Sequence, residues 1–529
     1  MTEGPSNPPL VIIALDGGDA DLIRQWTREG YLPTIASIMQ QGCYGSIGGP
    51  ELLSPQGAWL SFFSGISRSE HGYYYNRRLI PGTYELQDCT VRDAHVLPFW
   101  SPCRGGSKTV ATIDAFETEP LPDLSGFQLA DWSIQRQFNR PNLSPLTEPS
   151  DLLSEVRRLV GPPIHVDVFR PGSSCEEDAA ALHLLLQRIE AKGALSRHLL
   201  TRKRCDLTVI GFVESHTASH RLWDYRPGGS RETEAAKVGR HLAQGIREVY
   251  QAIDREIGLL LRHFPEQPNV FIVSLFGMKD LHPTTGLIDE FCCKLGYYIP
   301  AESSRIGVHP LRWLRQAISP DVRARMSRWL PRRLQARLEA DRFQSSTDWS
   351  RTTAFSIPAL NTSFLRVNLR GREPQGIVEL GSEYERLLDR MEADLRQLVD
   401  VRSGKPAVER VIRTAKSFRS GPPAILPDLF VEWTSSPYFM DRVAHPKAEL
   451  IQVEPYYNRS SYHSFGGFMA AAGPSIQAGV NLDEVSPLDF APVFQCLLGE
   501  PVSQTLSMRN LNQCIRQAPR NSGANAVAV

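Results

Sequence analysis

Residues 10–42 read LVIIALDGGDADLIRQWTREGYLPTIASIMQQG, and this stretch decides the fold. Its first part, LVIIAL (10–15), is short, continuous and apolar, the pattern of a strand buried on both faces of a parallel sheet. DADLIRQWTREG follows as a helix, with acidic residues in the first turn and Gly30 as its stop. LPTIASIMQQG repeats the helical pattern, with Pro33 early and Gly42 late. A buried strand feeding helices is the opening of an α/β unit.

The pattern continues along the chain. Strands are expected at TVATIDA (109–115), LTVIGFV (207–213), NVFIVSLFG (269–277), FLRVNL (364–369), DLFVEW (428–433) and GFMAAAG (467–473). Helices are expected at 176–200, 231–263, 382–399 and 487–498. The alternation predicts a doubly wound, mostly parallel sheet flanked by helices, one domain over residues 10–502. Polar tails at 1–9 and 516–529 read as disordered. Residues 303–345 depart from this background: they are Arg-rich and Lys-free, apolar at helical spacing, and broken by Pro320 and Pro331. They read as a helical insertion or cap, serving as a solvated face, a basic lid over an anionic substrate, or a subunit contact.

Composition narrows the function. The 529 residues are 41% apolar and 22% charged, values of a globular protein. Lys+Arg and Asp+Glu cancel at 58 each, so no overall field points to nucleic acid or a membrane surface. The nine cysteines are scattered, odd in number and without a C-x-x-C pair, which suits a reducing, cytoplasmic compartment. The N-terminal MTEGPSNPP is polar, and the apolar run behind it is too short for a signal segment or a membrane span.

In an open parallel sheet, ligands bind beyond the carboxyl ends of the strands. The polar residues expected there are Asp16, then Glu214, His216 and His220 after LTVIGFV; His463 lies just before GFMAAAG. An Asp in such a position is commonly a helix cap, and a lone His is commonly a packed core residue. His216 and His220, four apart, face the same side of a helix and can share a metal. Nitrogen-rich ligand sets suit zinc or a similar first-row divalent ion. LLSPQGAWLSFFSGISRSEHGYYYN (52–76) has two readings: a buried helix with ordinary punctuation, or a hydroxyl nucleophile, Ser54, at a helix N-terminus.

Residues 10–42 and AWLSFFSGISRSEHG together resemble the alkaline phosphatase superfamily, in its type I phosphodiesterase/nucleotide pyrophosphatase branch. FLRVNLRGREPQGIV, HSFGGFMAAAGPSI and LDFAPVFQCLLGEPV are similar to later elements of that branch, so the resemblance runs from about residue 10 to 502. It implies that Ser54 is the nucleophile, although SPQGAW holds one residue more than the usual spacing. It implies that Asn76 donates to a phosphoryl oxygen and that Asp16 belongs to the first metal pocket. That pocket usually adds an Asp-His pair, where this chain has Leu275-Phe276. In the second pocket a D-x-x-x-H motif is replaced by His216-x-x-x-His220, with His463 as the late ligand.

The resemblance therefore implies a hydrolase or transferase for a small phosphate ester, most simply a diester, or for a sulfate ester. One divalent metal per chain, zinc, is expected at the histidines, and Glu214, Asp280 and His282 are near enough in sequence to reach the pocket. The alternative is a non-catalytic member that binds a metal or phosphorylated ligand within a biosynthetic complex. Neither nucleic acid nor a membrane span is expected, and a homo-oligomer is compatible with either reading.

Overall fold

The computed structural model describes residues 7–133, 144–168, 172–234, 241–301, 347–359, 362–455, 459–502 and 510–516. The Arg-rich segment 303–345, and the tails apart from residues 7–9 and 516, lie outside these described residues. A nine-stranded sheet forms the centre. In chain order its strands are β1 (Leu10–Leu15), β2 (Cys43–Ile47), β3 (Thr109–Ile113), β4 (Ser125–Ala130), β5 (Leu146–Glu148), β6 (Leu207–Phe212), β7 (Asn269–Asp280), β8 (Ser461–Ala472) and β9 (Val480–Val485). Their spatial order is β9-β2-β8-β7-β1-β6-β3-β4-β5. β7, β1, β6, β3 and β4 run parallel to one another, whereas β8 lies antiparallel to both β7 and β2, and β5 antiparallel to β4. The sheet is thus mixed and mostly parallel.

β1 explains why this arrangement forms. Val11, Ile13 and Leu15 enter one core while Leu10, Ile12 and Ala14 enter the other, and all six residues are buried. A strand apolar on both faces needs helices on both sides, and each fully buried large side chain contributes about 1.5–3 kcal/mol. Helices that cover the sheet include α1 (Ala20–Arg28), α2 (Pro33–Gln41), α3 (Ala58–Ser64), α4 (Cys175–Arg202), α5 (Glu214–Leu222), α6 (His241–Leu261) and α7 (Phe490–Leu498). α1, α2, α4, α5 and α6 pack on the first face. α3 and α7 pack on the second through Trp59, Phe62, Phe490 and Phe494. Asp19 caps α1 by accepting from the Asp21 and Leu22 amides, and Pro33 opens α2. No described helix is long and apolar enough to cross a membrane.

Two expectations change here. FLRVNL and DLFVEW are strands, but they belong to a separate four-stranded antiparallel sheet with its own core, packed with the helix Ser382–Arg396. β7 also continues past Gly277 to Asp280, because Phe276–Asp280 pair with Ser461–Phe465 of β8. Leu275 and Phe276 lie inside this strand, as the apolar run 269–277 predicts, whereas His463 lies within β8 rather than before it.

Candidate active site

The ends of β1 and β6 and the extension of β7–β8 bring distant side chains together. Asp16 follows β1, and its amide donates to Phe212 O at 3.0 Å. Ser215 Oγ donates to Asp16 O at 2.7 Å, so α5 starts against the β1 turn. Gly17 permits this approach: its φ is +62°, and a Cβ there would stand 3.0 Å from His216 Cα. α5 then presents His216 and His220 on one face, their rings 4.5 Å apart. β8 supplies His463, with ring centroids 4.9 Å from His216 and 5.4 Å from His220.

The ligand atoms of His216, His220 and His463 all lie within 4.8 Å of one another. Burial lowers the pKa of each, and Arg459 and the neighbouring imidazoles push His220 and His463 further down. Three neutral imidazoles thus offer lone pairs. His220 Nδ1 pairs with Ser461 Oγ at 3.1 Å, while the buried His220 Nε2 and His463 Nδ1 have no hydrogen-bond partner among the described residues. Two orphaned ring nitrogens beside a third imidazole fit a divalent metal.

Asp16 stands beside this group. Its Oδ2 is 3.3 Å from His216 Nδ1, and its Oδ1 accepts from Trp59 Nε1 at 3.2 Å. It is placed to orient the His216 ring, and the Trp of the Ala-Trp block holds it there. The position of the missing Asp-His pair is apolar: Leu275 and Phe276 are buried in the core, and the Phe276 ring lies 5.7 Å from His463. Among the described residues this half of the site offers no ligand pair.

The other residues near in sequence point elsewhere. Glu214 faces away into a buried ion cluster, with Arg188 Nε at 2.7 Å and Lys192 Nζ at 3.4 Å. Burial opposes its charge, but Lys192 and Arg188 hold its carboxyl below the usual range. Asp280 accepts from both Arg226 and Trp223. Removing one partner of a buried ion cluster strands the others. Glu214→Ala is therefore expected to cost about 3–5 kcal/mol in urea unfolding. A change below about 1 kcal/mol, the scale of exposed pairs, would contradict the role given to Glu214.

Ser54 differs from its sequence reading. It is fully buried, and its hydroxyl donates to Gln56 Oε1 at 3.1 Å rather than capping a helix. α3 starts at Ala58 behind Gly57 (φ +84°), with no side chain of its own as cap. The loop before it is pinned from inside by Arg68, whose guanidinium donates to the carbonyls of Glu51, Ser54 and Gln56. His71 locks the following turn. Its Nδ1 accepts from the Tyr73 amide, which leaves Nε2 to donate to Ser61 Oγ at 2.9 Å, and Ser61 donates on to Glu51. Burial and Arg68 push His71 down to about 3, so it stays neutral. Asn76 is half-buried, its carbonyl accepting from the Cys89 amide.

A residue that sequence reasoning passed over fills the place expected for an anion. Glu117, beyond β3 in a left-handed conformation (φ +52°), accepts from the Gly57 and Leu60 amides at 2.7 and 3.0 Å. The amides at the start of α3 therefore serve a carboxylate of the chain itself. Burial raises Glu117 from 4.5 to about 7, with Asp16 adding to the rise against the two amides and Arg68. Between those values the folded state keeps a proton that the unfolded chain releases. Stability from Glu117 is present below about 4.5 and lost as pH rises through about 7. The wild type is thus expected to lose more stability between pH 5 and pH 8 than Glu117→Gln; equal slopes in urea melts at the two pH values would refute this.

Comparison with known proteins adds a family. Residues 10–311 match the model described as type I phosphodiesterase / nucleotide pyrophosphatase. No curated protein matches in sequence. Among solved structures, human ectonucleotide pyrophosphatase/phosphodiesterase 5 is similar at 10% identity and a TM-score of 0.45, covering 96% of this chain and 100% of that one. Its murine counterpart, inactive and in complex with AMP, gives the same figures.

Proposed function

Because the chain belongs to the type I phosphodiesterase / nucleotide pyrophosphatase family, we propose that it hydrolyses a small phosphate ester, in the first instance a phosphodiester, at the site between Asp16 and the three histidines. The observation that supports this most is the pair of buried ring nitrogens, His220 Nε2 and His463 Nδ1, left without partners among the described residues beside His216. The family is generally dependent on divalent metals. In this reading His216, His220 and His463 hold one zinc per chain, which would polarise a phosphoryl oxygen.

The chain's own groups divide the remaining work. Ser54 Oγ attacks phosphorus as the bond to the leaving oxygen breaks, the serine proton passing by way of solvent to that oxygen; water then attacks the phosphoserine, returning a proton to Ser54 Oγ as the phosphate leaves. Gln56 orients the hydroxyl at rest and must release it, since Ser54 is reached only when the 52–57 loop opens. Asn76 donates to an oxygen of the transferring group. Asp16 keeps the His216 ring in place. The nine free cysteines favour a cytoplasmic setting.

A second reading has its own support. Ser54 is wholly buried, and Leu275 and Phe276 seal the place of a second metal. A non-catalytic member that binds a metal or a phosphorylated ligand within a biosynthetic complex would look like this. Turnover of aryl phosphate mono- and diesters and aryl sulfates by the zinc-loaded protein separates the two. Diester turnover above a metal-only control supports the hydrolase; phosphate binding with no turnover of any ester supports the second reading.

A further inference from the structure

The three histidines have a cationic neighbour that neither the sequence pattern nor the proposed reaction has used. Arg459 precedes β8, close in the chain to Ser461, whose hydroxyl meets His220 Nδ1 at 3.1 Å, and to His463 itself. Its guanidinium lies over the Tyr462 ring, 5.4 Å from the centroid, and that ring lies 5.3 Å from the His463 ring. Its positive charge also opposes protonation of His216, His220 and His463. Tyr75, next to Asn76, also interacts with it. The Tyr462 ring thus bridges Arg459 to His463, which places the guanidinium one aromatic side chain from the histidine group.

A guanidinium in this place is unhelpful to a metal alone. A divalent ion among neutral imidazoles repels a nearby cation, and the Asp16 carboxylate is paired with His216 rather than with the guanidinium. The arrangement becomes favourable when an anion lies between the two positive centres. No second cation is provided for at Leu275 and Phe276, which are apolar and buried. Arginine suits such an anion, because its planar fork matches phosphoryl oxygens and keeps its charge at neutral pH.

We propose that Arg459 is an anion-binding residue of this site, its guanidinium holding a nonbridging oxygen of the phosphoryl group while the histidines hold the metal. This rests on the phosphate-ester reading of the site, yet it is tested without turnover. The probe is inorganic phosphate, titrated calorimetrically into the full-length, zinc-loaded protein, with zinc content measured in parallel. Arg459→Gln is expected to weaken phosphate binding by about tenfold or more while zinc stoichiometry stays as in the wild type. Arg459→Lys, which keeps the charge and loses the fork, is expected to fall between the two. If circular dichroism shows the Gln variant unfolded, the Lys variant decides by the same titration.

Unchanged phosphate affinity in the variants, or a wild type that binds no phosphate, would overturn the assignment. So would loss of zinc from a folded Arg459→Gln, which would make Arg459 a support of the histidine cluster. A wild type that binds phosphate through Arg459 but hydrolyses no ester leaves Arg459 assigned and removes the hydrolase reading alone.

Discussion

Ser54→Ala is expected to lower turnover of the preferred ester by about 10³-fold or more, the scale seen when a nucleophile is removed. The fold should survive. Among the described residues the serine hydroxyl makes one hydrogen bond, to Gln56, and the loop around it is held by Arg68 through backbone carbonyls that the substitution leaves in place. A neutral hydrogen bond of this kind contributes about 0.5–1.5 kcal/mol, so the thermal midpoint should move by only a few degrees. Ser54→Thr keeps a hydroxyl but adds a methyl group at a fully buried position, so it should show partial activity and some loss of stability. Full activity in a well-folded Ser54→Ala protein would remove Ser54 from the chemistry.

The second large effect concerns His220. Its Nδ1 is committed to Ser461 and its Nε2 has no partner among the described residues, so this imidazole can offer Nε2 to the shared centre. His220→Ala deletes one of three nitrogens and leaves His216 and His463 as a two-nitrogen site. Zinc should then be lost on dialysis, and with it any turnover above the metal-free background. His220 is buried, so the variant also opens a small void, and its folded state must be checked by circular dichroism. A folded His220→Ala protein that retains its zinc would show that the metal lies elsewhere.

Legibility in the sequence followed the physics of each element. β1 was plain because a strand buried on both faces has to be apolar throughout, and the helices after it carry their own caps and stops. FLRVNL and DLFVEW were equally plain as strands, but apolar alternation says nothing about which sheet a strand joins. The end of β7 was hidden because pairing with β8, nearly two hundred residues on, sets its length. His216, His220 and His463 could be chosen by ligand chemistry and family resemblance, and the structure brings these three together.

Ser54 and Glu117 show what spacing does not reveal. The hydroxyl of Ser54 lies inward because Arg68, fourteen residues on, draws the loop's carbonyls around itself. Glu117 meets Gly57 and Leu60 from across the sheet edge, and no local pattern around it marks the contact. Its left-handed backbone is a signal that only coordinates display. His71 and Trp59, two letters of the family block, act as supports: one locks a turn and the other holds Asp16.

The most direct measurement is anomalous X-ray scattering at the zinc edge from crystals of the full-length protein purified without chelator. The expected result is one strong peak per chain, bounded by His216, His220 and His463, with no second peak toward Leu275 and Phe276. A peak outside the three imidazoles, two peaks of comparable height, or none after a zinc soak would contradict a single-metal site at this sheet edge.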